Sequence, residues 1–235
     1  MGKKDKKYRA AMEQFNREET YDVETTVETV RNISFAKFDE TVEIHIRLGI
    51  DPKKSDQTVR GTTVLPHGTG KTPKVIVFTK GNKIKEAEEA GADMAGSDDL
   101  IQKVKDGFSD FDIAVASPDM MGEIGKNLGR ILGPKMPNPR AGTVAPDPAK
   151  AVSELKSGKI QYRADKTGIV HCPVGKVSFG TEKIVENLKV LLEAVVKAKP
   201  ASAKGAYLKS IALSSTMGPA VKMDTQKAGA FAGLK

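Results

Sequence analysis

Residues 65–78 read LPHGTGKTPKVIVF, and the reading of that run decides the fold. Gly70-Lys71-Thr72 matches the end of a phosphate-binding P-loop. The full motif needs a glycine five positions before Gly70, where this chain has Leu65. It also needs a strand before the loop and a helix after it, so that backbone N–H groups and a helix N-terminus converge on phosphate. Here Pro73 follows almost at once, and Lys74 to Phe78 has the pattern of a strand. Loop-then-strand is the wrong context, so the stretch reads as a flexible junction entering a strand. The question becomes what it joins.

Upstream, Val23, Val27 and Val30 recur at helical spacing behind Asp22, a plausible cap. Thr41 to Leu48 (TVEIHIRL) is apolar at every second residue, the signature of a strand with one wet face. Asp51 to Asp56 makes a turn, and Val59 to Leu65 is expected to pair with the preceding strand as its antiparallel partner. Downstream the period changes. Val75–Phe78 and Phe111–Ala116 are short, continuously apolar strands, and they alternate with helical stretches at 84–90, 98–104, 120–132 and 149–157. Such strands belong to a small parallel sheet covered on both faces. Gly125, Gly129 and Gly133 lack the spacing of a dinucleotide fingerprint and are expected to allow close helix packing.

After Gly158 the first pattern returns. Residues 160–163 and 169–174 read as strands around the turn Asp165-Lys166-Thr167-Gly168. Ile184, Val185, Leu188, Leu191, Leu192, Val195 and Val196 form a helical stripe expected to be capped by Thr181, and Tyr207 to Ser214 closes as a strand. Neither flank has enough elements to stand alone. The expected fold is therefore a discontinuous α+β domain from both termini, with an antiparallel sheet and helices, plus an inserted Rossmann-like three-layer α/β domain. The expected boundaries are 1–66 and 160–235 for the first and 67–159 for the second, with the crossings acting as a hinge.

Composition narrows the function. The net charge is +8, yet residues 67–159 hold 14 Lys and Arg against 13 Asp and Glu, while the flanks hold 24 against 17. The flanks carry the basicity, which favours a polyanionic partner. The basic N-terminus has no apolar stretch behind it, and the most apolar run, 190–196, is far too short to span a bilayer. One cysteine, Cys172, suits a reducing compartment, so a cytoplasmic protein without membrane contact is expected. His45, His67 and His171 show no metal-ligand spacing with Cys172, and no catalytic constellation emerges; no enzyme activity, metal or cofactor is expected. The loop 214–219 (SSTMGP) offers hydroxyls, an exposed Met217 and a glycine that could press on a sugar–phosphate surface. Lys37-Phe38 sets an aromatic beside a cation before a strand.

KFDETVEIHIRLGIDPKKSDQTVRGTTVLPHGTGK, GRILGPKMPNPRAGTV, YRADKTGIVHCPVGKVSF and SSTMGPAVKMD together resemble, in order and over nearly the whole chain, the bacterial ribosomal protein L-one family, the mobile stalk of the large subunit. Arg140 stands where that family's lysine is expected, which keeps the charge. The resemblance implies a protein, monomeric when free, whose terminal-segment domain binds a helix–loop of large-subunit rRNA. It also implies contact with tRNA leaving the ribosome and repression of translation through the protein's own operon mRNA. The RNA contacts it implies fall on Phe38, Thr41, Lys166, Thr167, Gly168, Thr216, Met217 and Gly218. In that reading the threonine hydroxyls and Lys166 engage RNA, Gly168 and Gly218 permit close approach, and Phe38 and Met217 supply apolar surface. Two rivals stand beside it: a nucleotide-binding protein using Lys71 and Thr72, and a nonspecific basic RNA chaperone.

Overall fold

The computed structural model describes residues 6–233; the basic start, Met1 to Asp5, lies outside them. The first flank holds α1 (Lys6–Glu13), α2 (Val23–Asn32), β1 (Thr41–Leu48) and β2 (Arg60–Val64). The middle holds β3 (Val75–Phe78), α3 (Lys83–Glu89), β4 (Met94–Gly96), α4 (Asp98–Lys105), β5 (Ile113–Ala116), α5 (Met121–Leu132) and α6 (Pro148–Lys156). The last flank holds β6 (Lys159–Arg163), β7 (Ile169–Lys176), α7 (Thr181–Lys197), β8 (Leu208–Ser215), β9 (Val221–Met223) and α8 (Thr225–Phe231). Packing divides the chain into two compact units, one built from the chain up to Gly70 together with Ile160 onward, the other from Lys71–Lys159.

The flank unit is an antiparallel sheet in the order β7-β1-β8-β9. In its register Ile44 lies between Cys172 and Leu213, and His45 between His171 and Ala212. Because side chains alternate along a strand, Val42, Ile44, Ile46 and Leu48 all enter the core, where the stripe of α7 (Ile184, Leu188, Leu191, Leu192, Val195) and Val27 and Val30 of α2 meet them. Each such side chain withdrawn from water contributes about 1.5–3 kcal/mol. Glu43, His45, Arg47 and His171 lie on the other, open face. Asp22 caps α2 by accepting the Thr25 N–H at 2.9 Å.

Two details of this unit depart from the sequence reading. The strand expected to pair with β1 does not: both edges of β1 are taken by β7 and β8, each as long as itself, and β2 pairs with β6 in a separate two-stranded sheet. Gly61 permits that pairing, since a Cβ there would fall 2.5 Å from the Tyr162 hydroxyl. Thr181 does not cap α7. It is the first helical residue, preceded by Gly180 at φ 87°, and its hydroxyl accepts from the Arg31 guanidinium at 2.7 Å.

The middle unit is a parallel sheet in the order β4-β3-β5. Ile76 and Phe78 face the core shared with Leu100, Val104, Ile124 and Leu128 of α4 and α5. Val75 and Val77 face the core shared with Ala87, Val152 and Leu155 of α3 and α6. Helices on both faces explain why β3 is apolar at all four positions. Between α3 and α4 the chain forms β4, a third strand absent from the sequence reading, which Gly96 ends. Gly125, Gly129 and Gly133 do not serve close packing: a Cβ at Gly129 or Gly133 would meet nothing within 4 Å, and one at Gly125 only the Met136 methyl at 4.0 Å.

Candidate nucleic-acid interface

At the start of β1, one carboxylate organises two loops. Glu40 falls at the same parity as Val42 and Ile44, so the strand turns it inward, and it is only 1% exposed. Its Oε1 accepts the N–H groups of Phe35 (3.1 Å) and Ala36 (2.8 Å), and its Oε2 accepts that of Met217 (2.9 Å). Burial alone raises a carboxyl pKa; here the backbone donors from Met217, Ala36 and Phe35 outweigh it and hold Glu40 below its ordinary value. The loops tied to this carboxylate carry Phe38 and Met217, which are 56% and 52% exposed. Both are large apolar side chains left in solvent, on loops hydrogen-bonded to Glu40.

The neighbouring threonines are engaged within the protein. Thr216 Oγ1 accepts the Thr41 N–H at 3.0 Å and donates to the Thr41 carbonyl at 3.3 Å. Thr41 Oγ1 accepts from Lys176 Nζ at 2.9 Å, and the same ammonium reaches the Asp39 carbonyl at 3.2 Å. Gly218 allows close approach, but to its own chain: a Cβ would lie 2.4 Å from Ser215 Oγ.

A second group lies at the far end of the same strand. Asp165 accepts the Thr167 N–H at 2.8 Å, the Thr167 hydroxyl at 2.7 Å and the Ile169 N–H at 2.8 Å. The Ile169 N–H, followed by the Thr167 donors, brings its pKa down to about 2. Gly168 closes the turn at φ 78°, a conformation that favours glycine, and its carbonyl accepts the Leu48 N–H at 2.8 Å. Lys166 is exposed beside an open groove of about 460 Å³ lined by Ile50, Pro52, Gln57 and Arg163.

The eight candidate residues thus form two groups. Phe38, Thr41, Thr216, Met217 and Gly218 gather at one end of β1, and Lys166, Thr167 and Gly168 at the other. The strand between them spans roughly 20 Å at about 3.3 Å per residue. Sequence reasoning passed over Glu40 and Lys176, and weighed His45 and His171 only as metal ligands or catalytic groups. A signal for Glu40 was present, a carboxylate at dry-face parity; the others depend on register, which the strand sequences alone do not give.

Cys172 is buried and its thiol is pushed up to about 12 by desolvation, the opposite of an activated nucleophile. Among the described residues no group of three or more His, Cys, Asp or Glu side chains could hold a metal, and no helix is long and apolar enough to cross a membrane. The run 65–74 leads into β3, not into a helix. Asn187 holds its first residues, accepting from the His67 N–H at 3.1 Å and donating to the Gly68 carbonyl at 3.0 Å. A Cβ at Gly70 would lie 3.0 Å from the Phe179 ring, and Lys71 faces Asp112 at 3.7 Å. Gly68 and Gly70 take the positive φ values of 62° and 73° that turn the chain, and Gly70 leaves room for the Lys176 stem and the Phe179 ring.

A family model described as the ribosomal protein L1p/L10e family matches residues 30–219. The match covers most of the chain, and the chain belongs to that family. Membership makes it a cytoplasmic large-subunit ribosomal protein that binds rRNA, in a family of structural RNA-binding proteins, not of enzymes.

Proposed function

We propose that the chain holds the stalk helix–loop of large-subunit rRNA through a domain formed by residues 1–66 and 160–235, with residues 67–159 as a second domain turned toward tRNA leaving the ribosome. The same surface represses translation by gripping a similar structure in the operon's own mRNA. The observation that carries this reading is the pair of exposed side chains, Phe38 and Met217, on loops locked to one buried carboxylate. A surface ordered in advance loses little entropy on binding. It suits RNA, whose shallow minor groove is read by shape and by contacts to sugars and phosphates.

The roles divide accordingly. Phe38 and Met217 cover ribose or base faces, and Lys166 meets phosphate about 20 Å away. Thr41 and Thr216 fix the loops while offering their remaining lone pairs to 2′-hydroxyls. Gly168 and Gly218 keep the two turns tight enough for RNA to approach.

The test is binding of the full chain to a stalk-helix rRNA fragment in the presence of excess unrelated structured RNA. Tight binding that survives competition, and that drops at least tenfold in Thr216→Val with the fold intact, is the expected result; about 1–3 kcal/mol for a polar group left unsatisfied once RNA covers this exposed position sets that scale. Binding competed equally by any RNA contradicts it and favours the basic chaperone.

A further inference from the structure

The open face of the flank sheet carries a row of polar groups that crosses three strands. His45 Nε2 lies 3.1 Å from Ser214 Oγ, His45 Nδ1 lies 2.8 Å from His171 Nδ1, and His171 Nε2 lies 3.7 Å from Asp165 Oδ2. The two rings meet edge to face, with centroids 5.0 Å apart. Two imidazole nitrogens at hydrogen-bond distance hold one proton between them, and Asp165 decides its direction. With Asp165 ionised, a bare His171 Nε2 lone pair facing it is unfavourable, so Nε2 carries hydrogen and Nδ1 accepts. His45 then donates from Nδ1, and its Nε2 accepts the Ser214 hydroxyl. In this arrangement the Nδ1–Nδ1 and Nε2–Ser214 contacts are both satisfied hydrogen bonds, and Asp165, at 3.7 Å, acts on His171 Nε2 by charge.

The row has room for one further proton. Protonation of His45 Nε2, with the Ser214 hydroxyl rotating to accept, leaves a single positive charge shared across the Nδ1–Nδ1 hydrogen bond. A second proton would set two N–H groups face to face at 2.8 Å and open the pair. The surroundings resist the first proton in the free protein. Burial lowers the His45 pKa, His171 lowers it further, and Glu43 opposes both. Arg47, two residues along β1, and Lys222 of β9, which pairs with Ala212 beside His45, add positive charge. Asp165 on the turn adds negative charge. On β8, Lys209 is exposed beside Ser210 where the register shifts and adds positive charge toward the Arg47 end, and on β7 Lys176 lies at the far end, opposite Thr41.

We propose that the His45–His171 pair is a third RNA contact, lying between the Phe38/Met217 loops and the Lys166 turn, and that it meets the phosphate backbone by taking up one proton. The inference rests on the rRNA-binding reading above and adds residues that neither the motif match nor composition assigned. RNA that engages both ends of β1 must pass over the face between them. A phosphate above the rings supplies the negative potential that Arg47 and Lys222 otherwise oppose. Binding and protonation then favour each other.

The experiment measures affinity of the full chain for the stalk-helix fragment between pH 8.0 and 5.5 at constant ionic strength, beside His45→Gln and His171→Gln. Affinity of the natural protein should rise about tenfold in total toward low pH, within the limit of tenfold per pH unit for one linked proton. Both variants should lose most of the slope, whatever their affinity at pH 8. A flat natural profile, or variants that keep its slope, overturns the proposal. NMR titration of the free protein tests the pair without RNA: the two ring signals should share one proton uptake above the opening of the pair, and two independent uptakes would refute it. If the natural protein shows no preference for the stalk fragment at any pH, the rRNA reading itself fails, whatever the rings do.

Discussion

The two sheets of this molecule solve the same packing problem in opposite ways. In the middle unit, helices cover both faces of a parallel sheet, and β3 spends all four side chains on core. In the flank unit, the helices bury one face of an antiparallel sheet and β1 alternates, leaving Glu43, His45 and Arg47 on the open side. The difference teaches where recognition is affordable. A doubly covered sheet can present ligands only to its strand ends and loops. A singly covered one has a rigid open face, with a prepared loop system at each end. The charge follows the same division, with the basic excess in the flanks.

That contrast can be broken by substitution. The largest effect is expected from Met217→Asp, which sets a carboxylate against phosphate at an exposed apolar anchor. RNA affinity should fall on the order of a hundredfold, with thermal unfolding unchanged because the side chain is half exposed. An unaltered dissociation constant would remove Met217 from the interface.

Glu40→Gln comes next. It places an amide NH₂ where Oε1 or Oε2 now accepts, against the Phe35 and Ala36 N–H groups or against that of Met217. Stability should drop by about 1–3 kcal/mol in denaturant titration, and RNA affinity about tenfold, as the loops lose their shared anchor. Retention of both by a folded variant would mean the loops are held elsewhere.

Lys166→Ala should weaken binding several-fold and reduce the slope of affinity against log salt by about one unit. The matched change in the middle unit, Lys126→Ala, should leave rRNA affinity and salt slope unaltered. Equal effects from the two would erase the distinction between the units.

The smallest effect is on acid stability. Glu40 and Asp165 have folded pKa values below their ordinary ones, so their contribution is full above the ordinary carboxyl range, 3.8–4.5, and fades as pH falls through the folded values, reaching about 2 for Asp165. Thermal melts of the natural protein should decline over that window, and Glu40→Gln should flatten part of the decline.

Most of the architecture is legible in the strands themselves. TVEIHIRL alternates and VIVF does not, and that contrast separates a half-open sheet from a covered one. Pairing is not legible: β2 has the turn and position of a hairpin partner, and only the lengths of β7 and β8 show why they displace it. The three-residue β4 (MAG) has neither the length nor the β-branched residues to announce a strand. Within the site, Phe38 and Met217 are readable as apolar residues in polar loops. The role of Thr216 is not, because its partner Thr41 lies 175 residues away in sequence. The histidine pair, 126 residues apart, appears only once the register is fixed.

The central claim is that the half-open sheet of the flank unit, and not the middle unit, reads rRNA. Hydrogen exchange of the full chain with and without the stalk-helix fragment tests it most directly. The account predicts slowed exchange at residues 35–41, 165–171 and 214–219, with residues 75–156 unaffected. Protection concentrated in 75–156, with the flank loops unchanged, would contradict it.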